Sequence, residues 1–302
     1  MKKYSVPRQI WRMLNPLLIY LGLTFFVMYS ASIVYGVVFG YRLIDGGGIP
    51  DHTATIKIAL DFLQENGLLL QLIGDTVCVL IFALMWRKIR TVLPKHDNTK
   101  PGIPVIILAV ILCVSLDVIC TSIIDLSNLI DLFPGYNEVA EYLYSGSIWV
   151  QFSLICIIAP LAEELLCRGI IMNRLCSWLP KWAAVLIPSV FFGMLHYNMI
   201  QGIGAFFLGI VFSLLYLRYR SLWIPIICHM AINLLSFVLQ VSVTEDISAW
   251  YFLISGIPLA IASALLILRR TKAAVLSDEP SGFGIDTARP VIGEGILRNE
   301  QV

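Results

Sequence analysis

Apolar residues in this chain run in long unbroken stretches, and that pattern predicts membrane helices rather than amphipathic surface elements. Windows long enough to cross ~30 Å of hydrocarbon as a helix fall at 17–40, 68–86, 103–124, 148–173, 183–199, 203–217, 222–240 and 249–268. The expected fold is an all-α membrane protein of about eight transmembrane helices around a polar intramembrane cavity. The sixth window is the shortest, because Gly202 and Gly204 blur its start. The first is too long for a signal-peptide core and no small-residue cleavage site follows it, so it is expected to remain as an anchor.

Polar segments divide the rest. Residues 41–67 contain Gly46–Gly48 and Pro50, then IKIALDFLQENG, whose apolar spacing is helical and suits the outer membrane surface. Residues 125–147 are acidic and aromatic. The tail, DEPSGFGIDTARPVIGEGILRNEQV, is rich in Gly, Pro and charge and reads as disordered. The expected organisation is an N-terminal membrane region over 1–147, a catalytic membrane core over 148–272 and a disordered cytoplasmic tail over 273–302. No internal repeat, phosphate-binding glycine loop or nucleic-acid surface is visible.

Composition sharpens this reading. The chain is 58% hydrophobic and only 14% charged, against ~25% charged in soluble domains, so a soluble core does not explain it. The net charge of +1 is uninformative because the charges are sorted by position. Nineteen of the 21 basic residues fall in the N-terminus, the 87–102 loop, at Arg168, Arg174 and Lys181 flanking the fourth connection, in the turn at 218–220 and in the region after 268. The alternate loops carry only Arg42 and Lys57. Excess Lys and Arg mark the cytoplasmic side, so both termini are expected inside, in a cell membrane that fits a bacterial plasma membrane. The seven cysteines lie in apolar stretches or the basic fourth connection, and no structural disulfide is expected.

Against this background the charges inside the spans stand out, since each costs ~2.5 kcal/mol or more near mid-bilayer. Glu163 and Glu164 lie side by side in the fourth span, followed by Arg168 at E-E-x-x-x-R. Neighbouring helical residues point ~100° apart, whereas positions four apart share a face. Glu164 and Arg168 are therefore expected to neutralise each other as a buried pair. Glu163 faces elsewhere without a cation in its own helix, a setting that suits proton transfer. A packing role for both acids is the bland alternative, and a second unpaired acid is a costly packing device. His196 shares a face with Phe192, and His229 with Asn233. At ~1.5 Å per residue, Glu163 is ~16 Å from Arg174, His196 ~22 Å from Lys181, and His229 and Asn233 ~13 and ~20 Å from Arg220. All four sit near one depth and can meet.

Two assemblies are open. In the metal-free one, Glu163 with His196 deprotonates a water, and His229 and Asn233 stabilise the oxyanion. In the other, Glu163, His196 and His229 hold a divalent metal such as zinc and leave a fourth position for water. The metal-free version is favoured, because no H-E-x-x-H occurs and Glu164, tied to Arg168, would otherwise have to serve as base.

Glu163, Glu164 and Arg168, then Phe192 and His196, then His229 and Asn233 form E-E-x-x-x-R, F-x-x-x-H and H-x-x-x-N in order on successive spans. This set resembles the CPBP intramembrane proteases, which group the type II CAAX prenyl endopeptidases with bacterial bacteriocin-processing and immunity (Abi) proteins. The resemblance covers about 148–240. It implies that Glu163 and His196 activate water and that His229 and Asn233 stabilise the oxyanion. It also implies a membrane-associated protein or peptide as substrate, with the bilayer as partner. The first three spans and the tail resemble nothing that identifies the substrate or an oligomeric state.

Asp75 and Asp117 are further intramembrane acids, expected to bridge helices or line the cavity. Pro160, one turn before the glutamates, is expected to open the fourth helix, and Pro188 and Pro225 to act similarly. Gly202, Gly204 and Gly209 suit close helix packing. Trp86, Trp149, Trp182 and Trp223 suit interfacial anchoring. Two other classes remain in view. A transporter would usually carry inverted repeats, and none is seen. A non-catalytic immunity or scaffold protein would not need every motif residue.

Overall fold

The computed structural model describes residues 5–45, 52–90, 101–133, 135–144, 146–196, 198–242 and 248–270. The tail expected to be disordered, 273–302, lies outside the described residues. The elements in chain order are α1 (Val6–Asp45), α2 (His52–Arg90), α3 (Ile103–Leu126), the short α4 (Leu129–Leu132) and α5 (Gly135–Leu143), α6 (residues 148–175), α7 (Lys181–Met194), α8 (Met199–Tyr219), α9 (Trp223–Ser242) and α10 (Ala249–Arg270). No strand occurs among the described residues.

The chain is an integral membrane protein of helices. Six of them (α1, α2, α3, α8, α9 and α10) are long and apolar enough to cross a membrane. The fifth expected window forms α7, a shorter apolar helix of 14 residues. The fourth runs as α6, in which α-helical and wider π-helical turns alternate. All eight windows thus form helices. The sixth, whose start the glycines obscured, is a complete helix because Asn198 caps it, its side chain accepting from the backbone N–H of Ile200 and Gln201.

The 41–67 segment differs from the outer-surface helix that was expected. Most of it continues the first two spans, because the apolar stripe of IKIALDFLQENG packs on α1 instead of lying on a membrane surface. Tyr35 stacks on Phe62 with ring centroids 4.2 Å apart, and the Ser32 hydroxyl donates to the Ala59 carbonyl at 3.3 Å. In 125–147 the acidic loop folds in part into α4 and α5.

The core is centred on the second half of α6. Every residue from Leu165 to Met172 is buried, enclosed by α1 and α2, by α7 and by α8. α3 packs on α8 and α9, and α10 packs along α3. Large apolar side chains face outward, among them Phe26, Ile33, Leu84, Ile254 and Ile261. In a soluble protein such an exposed apolar surface would drive aggregation; here hydrocarbon covers it. Trp149, Trp182 and Trp223 project outward near helix ends as anchoring requires, whereas Trp86 is turned inward against Gly169.

Two glycines let α7 and α8 touch backbone to backbone. A Cβ added at Gly193 would lie 2.7 Å from the Gly202 carbonyl oxygen, and one at Gly202 3.0 Å from that of Gly193. Gly209 is similarly confined by Arg168 and Ser189, while Gly204 faces open space. Small residues at such crossings permit the approach that hydrophobic pressure cannot supply within lipid. Gly193→Val should therefore lower the unfolding temperature of the detergent-purified protein by several degrees, since backbone rather than a flexible side chain must move. Gly204→Val should change it little. Equal effects of the two would contradict this account of the crossing.

Candidate active site

The site begins with the irregularity of α6. Phe152–Ile158 and Leu165–Met172 are π-helical, and Ala159–Glu164 is an α-helical turn and a half between them. Pro160 has no N–H and its ring crowds the carbonyl four residues earlier. A wider turn before it relieves that clash, and the N–H of Ala159 bonds to Leu154, five residues back. The helix is thus opened by widening, and such π turns often accompany functional sites. Further along, Asn173 folds its amide onto the carbonyls of Arg168 at 3.0 Å and Gly169 at 2.9 Å. It also donates to the Tyr216 hydroxyl oxygen at 2.7 Å, which ties the second wide turn to α8.

Glu164 and Arg168 pair as their spacing requires. Arg168 Nη1 donates to Glu164 Oε1 at 2.7 Å, and both side chains are wholly buried. The guanidinium also donates to the Gly209 carbonyl at 2.8 Å and to Ser213 Oγ at 3.4 Å on α8. Its plane lies over the rings of Phe192 and Phe212, with Cζ 4.6 and 5.4 Å from the centroids. A cation in this position is satisfied by a carboxylate, a carbonyl, a hydroxyl and two π faces. Sequence reasoning missed Asn173, Ser213 and Phe212, and it named Gly209 only as a packing residue. The small-residue step from Gly209 to Ser213, four apart on α8, is the signal that marked a close partner.

His229 joins the two glutamates. Its Nδ1 faces Glu164 Oε1 at 3.2 Å, and its Nε2 lies 3.9 Å from Glu163 Oε2. The ring is wedged between Phe192 and Phe212, at centroid distances of 5.3 and 5.5 Å. Phe192 is thus a packing wall shared by Arg168, His196 and His229. Glu163 Oε2 is buried without a hydrogen bond, as an acid without a cation of its own should be.

His196 and Asn233 are placed by backbone carbonyls. His196 Nδ1 is 2.9 Å from the Phe192 carbonyl oxygen. A carbonyl only accepts, so Nδ1 carries the hydrogen and Nε2 keeps its lone pair. Asn233 Nδ2 donates to the Ile155 carbonyl at 2.8 Å, within the first π stretch of α6. One N–H of the amide is used there and the other is left for a ligand. Among the described residues no hydrogen bond joins His196 to Glu163; the histidine that meets the acids is His229. Nor, among the described residues, are three His, Cys, Asp or Glu side chains grouped to hold a metal ion.

A cavity of about 690 Å³ opens on this cluster. His196, His229, Asn233 and Phe192 line it, and the two glutamates stand behind the His229 ring. Asp117 of α3 lines it too. Asp75 does not; it is wholly buried in α2, with Thr24 Oγ1 donating to its Oδ1 at 3.4 Å. That contact between α1 and α2 fits a helix-bridging role.

This fold and site define a polytopic helical membrane protein with an acid–imidazole–amide cluster at an internal cavity. Residues 145–235 match the family described as type II CAAX prenyl endopeptidase Rce1-like, and this segment holds all three motifs, from Glu163 to Asn233. The Bacillus subtilis (strain 168) protein YdiL, whose name assigns it provisionally to the membrane peptidases, is 32% identical over 84 residues. That match covers 28% of this chain and 34% of YdiL, so the chain spans about a third of that relative's length. No solved structure gives a significant match.

The pair at the centre should be costly to break. Removing one partner of a buried ion pair leaves a charge uncompensated, at ~3–5 kcal/mol. Glu164→Ala and Arg168→Ala should each reduce folded yield and thermal stability, whereas replacing both by Met should cost less than the two single changes added together. Wild-type stability in both single variants would refute the assignment.

Proposed function

We propose that this protein is an intramembrane endopeptidase that hydrolyses a peptide bond of a membrane-associated protein or peptide. The observation that carries this reading is that His196, His229 and Asn233 line one cavity while His229 reaches back to Glu163 and Glu164, all within the segment matched to the CAAX endopeptidases. Glu163 takes a proton from water, and the free Nε2 of His196 accepts the water's second hydrogen, aiming its lone pair at the carbonyl carbon. With a hydrogen on each ring nitrogen, His229 donates its Nδ1–H to Glu164 and turns its Nε2–H, beside the second N–H of Asn233, toward the oxygen on which charge develops. As the C–N bond breaks, the proton held by Glu163 passes to the leaving nitrogen. Glu164 touches no reacting atom in this scheme; it fixes the His229 ring through Nδ1 and neutralises Arg168. Catalytic hydrogen bonds are often long before substrate binds, and the 3.9 Å gap at Glu163 fits that state.

The chemistry is metal-free in this proposal, with Glu163, His196 and His229 as ligands of a divalent ion such as zinc in the alternative. In a peptide-library cleavage assay with detergent-purified protein, Glu163→Gln should abolish turnover while leaving folding intact, because it keeps the shape and removes the base. His196→Ala should do nearly the same. Asn233→Ala should cost ~10²–10³-fold in kcat, the usual loss of one oxyanion donor. Activity should survive prolonged chelation. Loss on chelation with rescue by zinc would favour the three-ligand version, and undiminished turnover by Glu163→Gln would reject both.

The distribution of basic residues supports a cell-membrane protein with cytoplasmic termini, of a kind that fits a bacterial plasma membrane. A cysteine at Ser147 should react with an impermeant thiol reagent added to intact cells, and one at Lys181 only after permeabilisation. The opposite pattern would invert the topology.

A further inference from the structure

The cavity has a charge asymmetry that water activation does not use. Asp117, Thr121 and Asp125 recur every fourth residue on α3 and line it from one side. His229, Asn233 and Gln240 line it from α9 opposite. No Lys or Arg lines the cavity among the described residues. Asp125 is exposed near the end of α3, at the mouth, while Asp117 is partly buried further in. Unlike Asp75, which takes a hydrogen bond from a neighbouring helix, Asp117 accepts none from a described residue. A helix-bridging role would provide such a partner. A carboxylate kept at mid-helix in a membrane protein, open to a cavity and unpaired, is suited to a cation that arrives with the ligand.

We propose that Asp117 is a specificity-determining residue that pairs with a Lys or Arg side chain of the bound peptide, and that Asp125 steers the same group in at the mouth. This rests on the peptidase reading and names its substrate class: a membrane-associated peptide with a basic residue close to the scissile bond. The dimensions set how close. Asp117 to Asp125 spans ~12 Å of helix and His229 to Gln240 ~16 Å. An extended peptide advances ~3.3 Å per residue, so the polar walls hold about four or five residues. The basic residue therefore lies within about four residues of the bond that is cut.

The test uses an N-acylated hexapeptide with one Lys and its norleucine counterpart, which keeps the methylene stem and drops the charge. Binding of each to detergent-purified Glu163→Gln protein is read by fluorescence anisotropy, and cleavage of each by wild-type protein is read separately. The Lys peptide should bind at least ~10-fold more tightly, the scale of one close charge pair. Adding Asp117→Asn should bring the ratio near one, Asp117→Glu should restore it, and Asp125→Asn should reduce it less. Equal binding of the two peptides, a comparison that needs no change at Asp117, overturns the proposal. A preference that persists in Asp117→Asn also overturns it. Selective binding without cleavage of either peptide rejects the peptidase and leaves the cation site standing; cleavage of both at equal rates does the reverse.

Discussion

The structure depends on a single desolvated ion pair, Glu164 with Arg168. Neither side chain has any exposure, so water stabilises neither charge and each leans first on the other, 2.7 Å away. The pair is also a junction. Arg168 reaches Gly209 and Ser213 on α8, and the same oxygen of Glu164 that takes Nη1 faces Nδ1 of His229 on α9. Three helices are thereby held in one register by one carboxylate and one guanidinium. Packing alone is a weak guide to register in lipid, where helix surfaces are as apolar as their surroundings. A satisfied charge network supplies the direction that dispersion lacks.

Two adjacent glutamates acquire opposite characters from this arrangement. Glu164 is spent on Arg168 and on the His229 ring. Glu163, ~100° further round the helix, has no cation in its own helix and no hydrogen bond for its Oε2. The wide turns on either side of Ala159–Glu164 belong to the same design. Pro160 forces the first, and it leaves the Ile155 carbonyl to receive Asn233. The second is closed by Asn173. A regular α-helix from 148 to 175 would have placed the acids and the Asn233 partner differently around the axis.

A polar cavity inside a bilayer must keep its polar groups wet while the outer surface stays apolar. The protein separates the two by helix face. α3 presents Asp117, Thr121 and Asp125 to the cavity and Ile107 and Ile123 outward. α9 presents His229 and Asn233 to the cavity and Leu234 and Val238 outward. Polar residues near mid-membrane are tolerable only where they meet one another or a water-filled space, and this sorting satisfies that rule.

Much of this was legible in the chain itself. Eight apolar windows gave eight helices because hydrocarbon permits little else to a backbone that must bond to itself. The Glu164–Arg168 pair followed from a spacing of four, and the cavity residues from motifs at matching depth. Tertiary structure alone decided the rest. Spacing within a helix says which residues share a face, not which face meets which helix, so it did not reveal that His229 rather than His196 contacts the acids. It did not show that Gly209 and Ser213 complete the cradle of Arg168, or that Asp75 is buried between α1 and α2 while Asp117 faces the cavity. Both aspartates look alike in sequence, each an acid in an apolar run. Their difference lies in the rotation of each helix about its own axis, which is set by contacts between segments distant in the chain.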